Sequence, residues 1–166
     1  MPTYSAPALD LIRETDEAAT FRVPFLLWPK PWTEFTDTTP LEWRRVKFGE
    51  NTLDEVPSDA HGVYSFVVEP GIALHPACAF LLYVGMTDRP LRVRYQEYLR
   101  EPAKKKPRPR IVRMLRKWPD HLYFYYSKVP PGVVVRDLES ALIAGLMPPA
   151  NTELPARVRD IVGAFI

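Results

Sequence analysis

Two apolar runs constrain this chain more than any other feature. The first is Gly62 to Val68, reading Gly-Val-Tyr-Ser-Phe-Val-Val, and the second is Ala79 to Gly85, reading Ala-Phe-Leu-Leu-Tyr-Val-Gly. Both are rich in β-branched and aromatic residues, too short for a stable helix and bounded by turn residues, so both predict strands. Between them, Glu69-Pro70-Gly71 supplies a turn signal. Each run sets a tyrosine near a glycine: Tyr64 after Gly62, and Tyr83 before Gly85. A tyrosine hydroxyl at each strand end can face one cleft, although the pattern alone is equally that of ordinary hairpin packing.

At 166 residues, 46% of them apolar, the chain is long enough for one domain with a sizeable core. No apolar run approaches the length of a membrane span. Met1 to Pro7 lacks the basic and apolar regions of a secretory leader. Cys78 is the only cysteine, so no internal disulfide forms. Together these features predict a cytoplasmic protein with no membrane partner. Cys78 reads as a small core or loop residue rather than a nucleophile. His61, His75 and His121 lack metal-ligand spacing and read as structural.

Charge is unevenly spread. Residues 1–58 hold six Lys/Arg and ten Asp/Glu, whereas residues 59–166 hold sixteen and ten. Met86 to Trp118 alone carries twelve basic residues and three acidic ones. Such a stretch calls for an anionic partner, with nucleic acid first in order.

Residues 1–8 read as a loose tail, followed by a short helix over Leu9 to Ala19. The prolines of Phe21 to Trp32 forbid a regular helix there. Its aromatics serve either as cover for one side of the core or as the surface for a partner subunit or second copy. Thr39 to Trp43 reads as a short helix opened by a Thr cap and a proline. Leu91 to Arg100 has helical period, with Leu91, Tyr95, Tyr98 and Leu99 on one stripe and Arg94 on its shoulder. A second basic helix covers Ile111 to Trp118. His121 to Val129 is a third strand. Asp137 to Met147 is a helix with Leu138, Ala141, Leu142, Gly145 and Leu146 inward, and a short helix near Ala156 to Phe165 closes the chain. Residues 1–58 are then an extension packed on a domain spanning 59–166.

The order of these features, Gly62-Val63-Tyr64, then Tyr83-Val84-Gly85, then Arg94 and Tyr98 on a helix, then Glu139, then Asn151, resembles the GIY-YIG nuclease family over residues 62–151. Val63 and Val84 stand where the family often has Ile. Arg94 matches the family arginine, with Arg92 the neighbouring choice; taking Arg94 puts Leu91 on the usual apolar position. Met86 replaces a frequent Lys or Ser, and the stretch between Tyr64 and Tyr83 is longer than in many members. The resemblance implies an α+β fold with a small three-stranded antiparallel sheet flanked by helices. It also implies a catalytic set of Tyr64, Tyr83, Arg94, Tyr98, Glu139 and Asn151, with Glu139 holding Mg²⁺ or Mn²⁺. The activity implied is endonucleolytic cleavage of DNA to 5′-phosphate and 3′-hydroxyl ends, with RNA the other substrate the charge admits. No further nucleic-acid-binding module is recognisable beside it, which favours a compact restriction or defence nuclease over a repair-type one. The alternatives are a nucleic-acid-binding module of the same fold without turnover, and an interaction protein acting through Phe21 to Trp32.

The chemistry gives its own reasons for these residue types. Phosphodiester hydrolysis must absorb charge on the phosphate and stabilise a leaving alkoxide. An arginine fork suits phosphate geometry, and a single carboxylate suffices for a largely hydrated Mg²⁺. Each residue also has an ordinary reading: a rim ion pair for Arg94, a helix-dipole carboxylate for Glu139 and a loop cap for Asn151. Arg92, Arg100, Lys104, Lys105, Lys106, Arg108, Arg110 and Arg113 are the candidate nucleic-acid contacts, with Lys104 to Arg110 either a phosphate clamp or a solvated loop.

Overall fold

The structure, a computed structural model, describes residues 6–71 and 78–164. His75, and Phe165 at the end of the last expected helix, lie outside the described residues. The fold is α+β: a four-stranded antiparallel sheet with helices packed on it. The strands are β1 (Arg44–Lys47), β2 (Gly62–Val68), β3 (Phe80–Thr87) and β4 (Leu122–Lys128), in the order β1-β4-β2-β3. The helices are α1 (Ala6–Thr20), α2 (Pro29–Thr33), α3 (Leu91–Arg100), α4 (Pro109–Lys117), α5 (Val135–Leu146) and α6 (Ala156–Val162).

β2 lies between β4 and β3 and is buried at all seven positions. That explains why it reads as a continuous apolar run instead of an alternating one. One face of the sheet is aromatic. Tyr64, Phe66 and Phe124 meet Tyr95 and Tyr98 of α3, with edge-on rings at 4.9 Å for Phe66–Tyr98 and 5.0 Å for Tyr95–Phe124. Such pairs contribute about 0.5–1.5 kcal/mol each beyond their area. On another side of the core, Val63 packs with Val135 and Leu138 of α5. In α5 the buried residues are Val135, Leu138, Ile143 and Gly145, while Leu146, expected inward, is 46% exposed.

The three-stranded sheet expected from the sequence is therefore extended by one strand. β1 pairs with β4 from Arg44↔Tyr126 to Lys47↔Tyr123. Only Val46 of Arg-Arg-Val-Lys is buried, so the segment carries no strand periodicity to detect. Its charges suit an edge strand that must not recruit another chain. Arg45 lies over the Tyr123 ring and pairs with Glu69. The helix expected over Thr39 to Trp43 does not form, and the Thr39 N–H instead donates to Asp37 Oδ1 at 2.8 Å. Residues expected as tail from Ala6 onward belong to α1.

The Phe21–Trp32 stretch divides between its two readings. Leu26 and Trp28 pack against Met147 and Val158, while Phe21, Phe25, Leu27 and Trp32 are exposed. Among the described residues, no helix is long and apolar enough to cross a membrane.

Candidate active site

Tyr64 sits in β2 directly opposite Gly85 of β3. A Cβ on Gly85 would stand 2.5 Å from the Tyr64 hydroxyl oxygen, so the absence of a side chain there is what lets the Tyr64 ring lie across β3. The hydroxyl accepts the Arg94 Nε–H at 2.9 Å and lies 3.0 Å from the Tyr98 hydroxyl. Tyr83 stacks beside Tyr64 at 6.4 Å between centroids and meets Tyr98 edge-on at 6.3 Å. Arg94 lies 5.0 Å over the Tyr98 ring and donates Nη1 to Glu97 at 2.8 Å. Glu97 in turn binds Arg89 at 2.8 Å. Arg94 is thus fixed by a phenol, an aromatic face and a carboxylate, with 22% of its side chain exposed.

Burial pushes the Tyr64 hydroxyl up to about 12, helped by the proximity of Tyr83. Tyr83 and Tyr98 are pushed up further, burial again leading. All three are phenols at neutral pH. Burial works against the charge of Arg94, but Tyr64, Tyr98 and Glu97 outweigh it, so the guanidinium is firmly cationic.

The outer edge of β3 positions the other half of the site. The Ala150 N–H donates to the Leu82 carbonyl at 2.9 Å. Asn151 then completes the ladder with its side chain: the Val84 N–H donates to Oδ1 at 3.0 Å, and Nδ2 donates to the Val84 carbonyl at 2.8 Å. The next outward group, the Met86 N–H, goes to the Glu139 carboxylate. A strand edge that would otherwise expose its backbone is thus satisfied by Ala150, Asn151 and Glu139.

α5 begins two residues earlier than the sequence suggests, so Glu139 lies in its second turn; Asp137 is the acid of the first. Proximity to the helix N-terminus is thus a weaker reason for Glu139 than the sequence implied. Glu139 is half-buried, and burial raises its pKa against the lowering effects of Met86, Arg136 and Arg94, with Glu153 adding a like charge.

Tyr83, Arg108, Arg136, Glu139, Asn151 and Glu153 line one open cleft of about 590 Å³. Arg94, Tyr64 and Tyr98 adjoin it through Tyr83. Among the described residues no three metal-ligating side chains gather. Glu139 fits a divalent cation as a single protein carboxylate, the rest of the shell being water and substrate oxygens. A cation there would also relieve the like charge of Glu153.

The basic candidates separate into three groups. Arg92 is taken up by the protein itself: Nε and Nη2 donate to the Val56 and Asp54 carbonyls, both at 2.8 Å, and Nη1 pairs with the Asp54 carboxylate at 3.2 Å. Arg108 belongs to the cleft. Glu101, fully buried, receives its backbone N–H at 2.9 Å and its Nε and Nη2 at 3.0 Å each. Glu101 also holds Lys104 at 2.6 Å. So held, the Arg108 guanidinium lies 5.4 Å over Tyr98. Arg100, Lys105, Lys106, Arg110 and Arg113 are exposed.

Sequence reasoning missed Glu101 as the anchor of this loop, and Arg136 as a cation of the cleft. The one available signal for Glu101 was its i,i+3 spacing to Lys104. His61 and His121 are exposed. Searches against models of known families, curated proteins and solved structures find no match to this chain.

Proposed function

We propose that this protein is a divalent-metal-dependent endonuclease acting on DNA, cleaving phosphodiester bonds to leave 5′-phosphate and 3′-hydroxyl ends. One observation carries the reading. Three tyrosine hydroxyls and the Arg94 guanidinium converge beside a cleft that also holds Arg108, Glu139 and Asn151. The resemblance of residues 62–151 to the GIY-YIG nucleases rests on the same side chains, Arg108 excepted.

In this reading Arg94 and Arg108 draw the phosphate into the cleft and absorb the charge that grows on its oxygens. Tyr83 orients the attacking water by hydrogen bonding, backed by Tyr64 and Tyr98. Asn151 keeps β3 and the end of α5 in register, so that Glu139 faces the same point. A cation held by Glu139 would supply Lewis-acid stabilisation of the leaving oxygen.

The upward shift of all three tyrosines favours a second reading, a nucleic-acid-binding module of the same fold without turnover. One experiment separates the two. Supercoiled plasmid, linear duplex, branched DNA and RNA are incubated with the protein in Mg²⁺ or in chelator, with Glu139→Ala and Tyr83→Phe alongside. Metal-dependent nicking lost in Glu139→Ala supports the nuclease. Cleavage that survives Glu139→Ala overturns the role given to that carboxylate, and binding with no cleavage under any condition leaves the module.

A further inference from the structure

The ladder that braces the cleft also floors a second recess. Leu82 and Ala150, joined by the 2.9 Å backbone bond, lie in its floor with Met114 and Trp118. Arg22, Arg110, Arg113 and Lys117 stand around its mouth, and its volume is about 240 Å³. Arg110, Arg113 and Lys117 follow helical spacing on one face of α4.

None of these four cations forms an ion pair among the described residues. Among the described residues, the Arg113 side chain donates only to the Thr20 carbonyl, at 3.4 Å. The Lys117 ammonium sits 5.2 Å from the Trp118 ring centroid and 5.3 Å from that of Phe21. Burial and then the charge of Arg113 lower the Lys117 pKa, so an anion placed beside the ammonium would be favoured. A solvated basic face needs no aromatic floor, and a core tolerates no such cations. The combination suits an anion that carries a flat apolar part, which describes a nucleotide.

Position adds to this. Leu82 precedes Tyr83, Ala150 precedes Asn151, and Arg110 follows Arg108 by two residues. With a strand rise of about 3.3 Å per residue, the Leu82 end of the ladder lies about 7 Å from the Val84–Asn151 pair. Recess and cleft are neighbours along one track.

We propose that this recess is a second nucleotide subsite. A strand whose scissile phosphate occupies the cleft sets a flanking base against Trp118 and a flanking phosphate among Arg110, Arg113 and Lys117. This rests on the nucleic-acid reading of the cleft, but it is tested without cleavage.

The full chain, in chelator, is titrated into a fluorescein-labelled single strand of about sixteen nucleotides, near the upper site size of small single-strand-binding folds. Arg113→Ala and Lys117→Ala should each weaken binding roughly three- to tenfold at about 150 mM salt and lower the salt slope by about 0.7. Arg116→Ala, on the same helix but outside the recess, should leave both nearly unchanged. A 5-iodouracil strand should photo-crosslink to Trp118, with the site mapped by mass spectrometry. Wild-type affinity and slope in the two recess variants overturn the subsite, as does an equal effect in Arg116→Ala or crosslinking only elsewhere. Recess-specific loss of binding with no cleavage by wild-type protein in Mg²⁺ removes the nuclease and keeps the subsite.

Discussion

Arg94 answers to three partners at once, so its identity matters more than its charge. Lysine would keep the cation but could not bond Tyr64, reach Glu97 and lie flat on Tyr98 together. Arg94→Lys is therefore expected to lower kcat by roughly 10²–10³, the scale for losing one donor to developing charge. Substrate binding in chelator should fall much less, and a variant within threefold of wild-type kcat would remove Arg94 from the reaction. The glycines make a separate prediction about stability. A Cβ on Gly62 would come 2.0 Å from the Ser127 carbonyl oxygen, a group of the central ladder that cannot yield. On Gly85 it would meet the Tyr64 ring, a side chain and not backbone. Urea denaturation should show Gly85→Ala destabilised by about 1–3 kcal/mol, and Gly62→Ala by more than about 3 kcal/mol. The reverse ranking would mean that the Tyr64 ring is the stiffer neighbour.

The α3–α4 connection shows why some elements were legible and others were not. β2 and α3 have the limits that the sequence predicts, because each buries a run or stripe of apolar residues against the sheet. β1 buries one valine, and no periodicity can arise from a single residue. The Lys104–Arg110 run left two readings open, a phosphate clamp or a solvated loop, for a different reason. Its order comes from Glu101, and a charged residue at a helix end reads as solvent-facing until its partners are known. The site shows the same division. The residue types were readable in order, but Asn151 reaches Val84 across 67 positions, a pairing that only the folded chain reveals. Glu101 makes this connection testable. Hydrogen bonds from Arg108, then Lys104, hold its carboxyl down at about 2, against an ordinary value near 4.5. A depressed pKa stabilises the fold fully above the ordinary value, and this contribution is lost as pH falls toward the shifted one. Glu101→Gln should therefore cost about 3 kcal/mol at pH 7, with the gap to wild type closing between pH 4.5 and about 2. A gap that stays constant across that range would show that packing, not charge, anchors the loop.

At the scale of the whole molecule, the first 58 residues divide into parts with different standing. α1 is exposed at every described side chain from Asp10 to Thr20, and little of the core depends on it. The stretch from Arg44 to Val56 is the opposite case. It supplies a strand to β4 and places Val46 and the fully buried Val56 in the main core. It is also tied to α3 by three bonds from Arg92 and by the Tyr95 hydroxyl, which accepts the Gly49 N–H at 2.8 Å. Removing this stretch would uncover the β4 edge and leave Arg92 and Tyr95 without their partners, a loss comparable with the 5–15 kcal/mol that typically holds a domain together. A chain starting at residue 21 should unfold in urea within about 0.5 kcal/mol of the full chain, the scale of surface changes. One starting at residue 59 should show no cooperative transition and should aggregate. Cooperative unfolding of residues 59–166 alone would make the N-terminal stretch an accessory after all. Its failure would place the lower boundary of the folding unit before residue 59, with residues 62–151 only part of that unit.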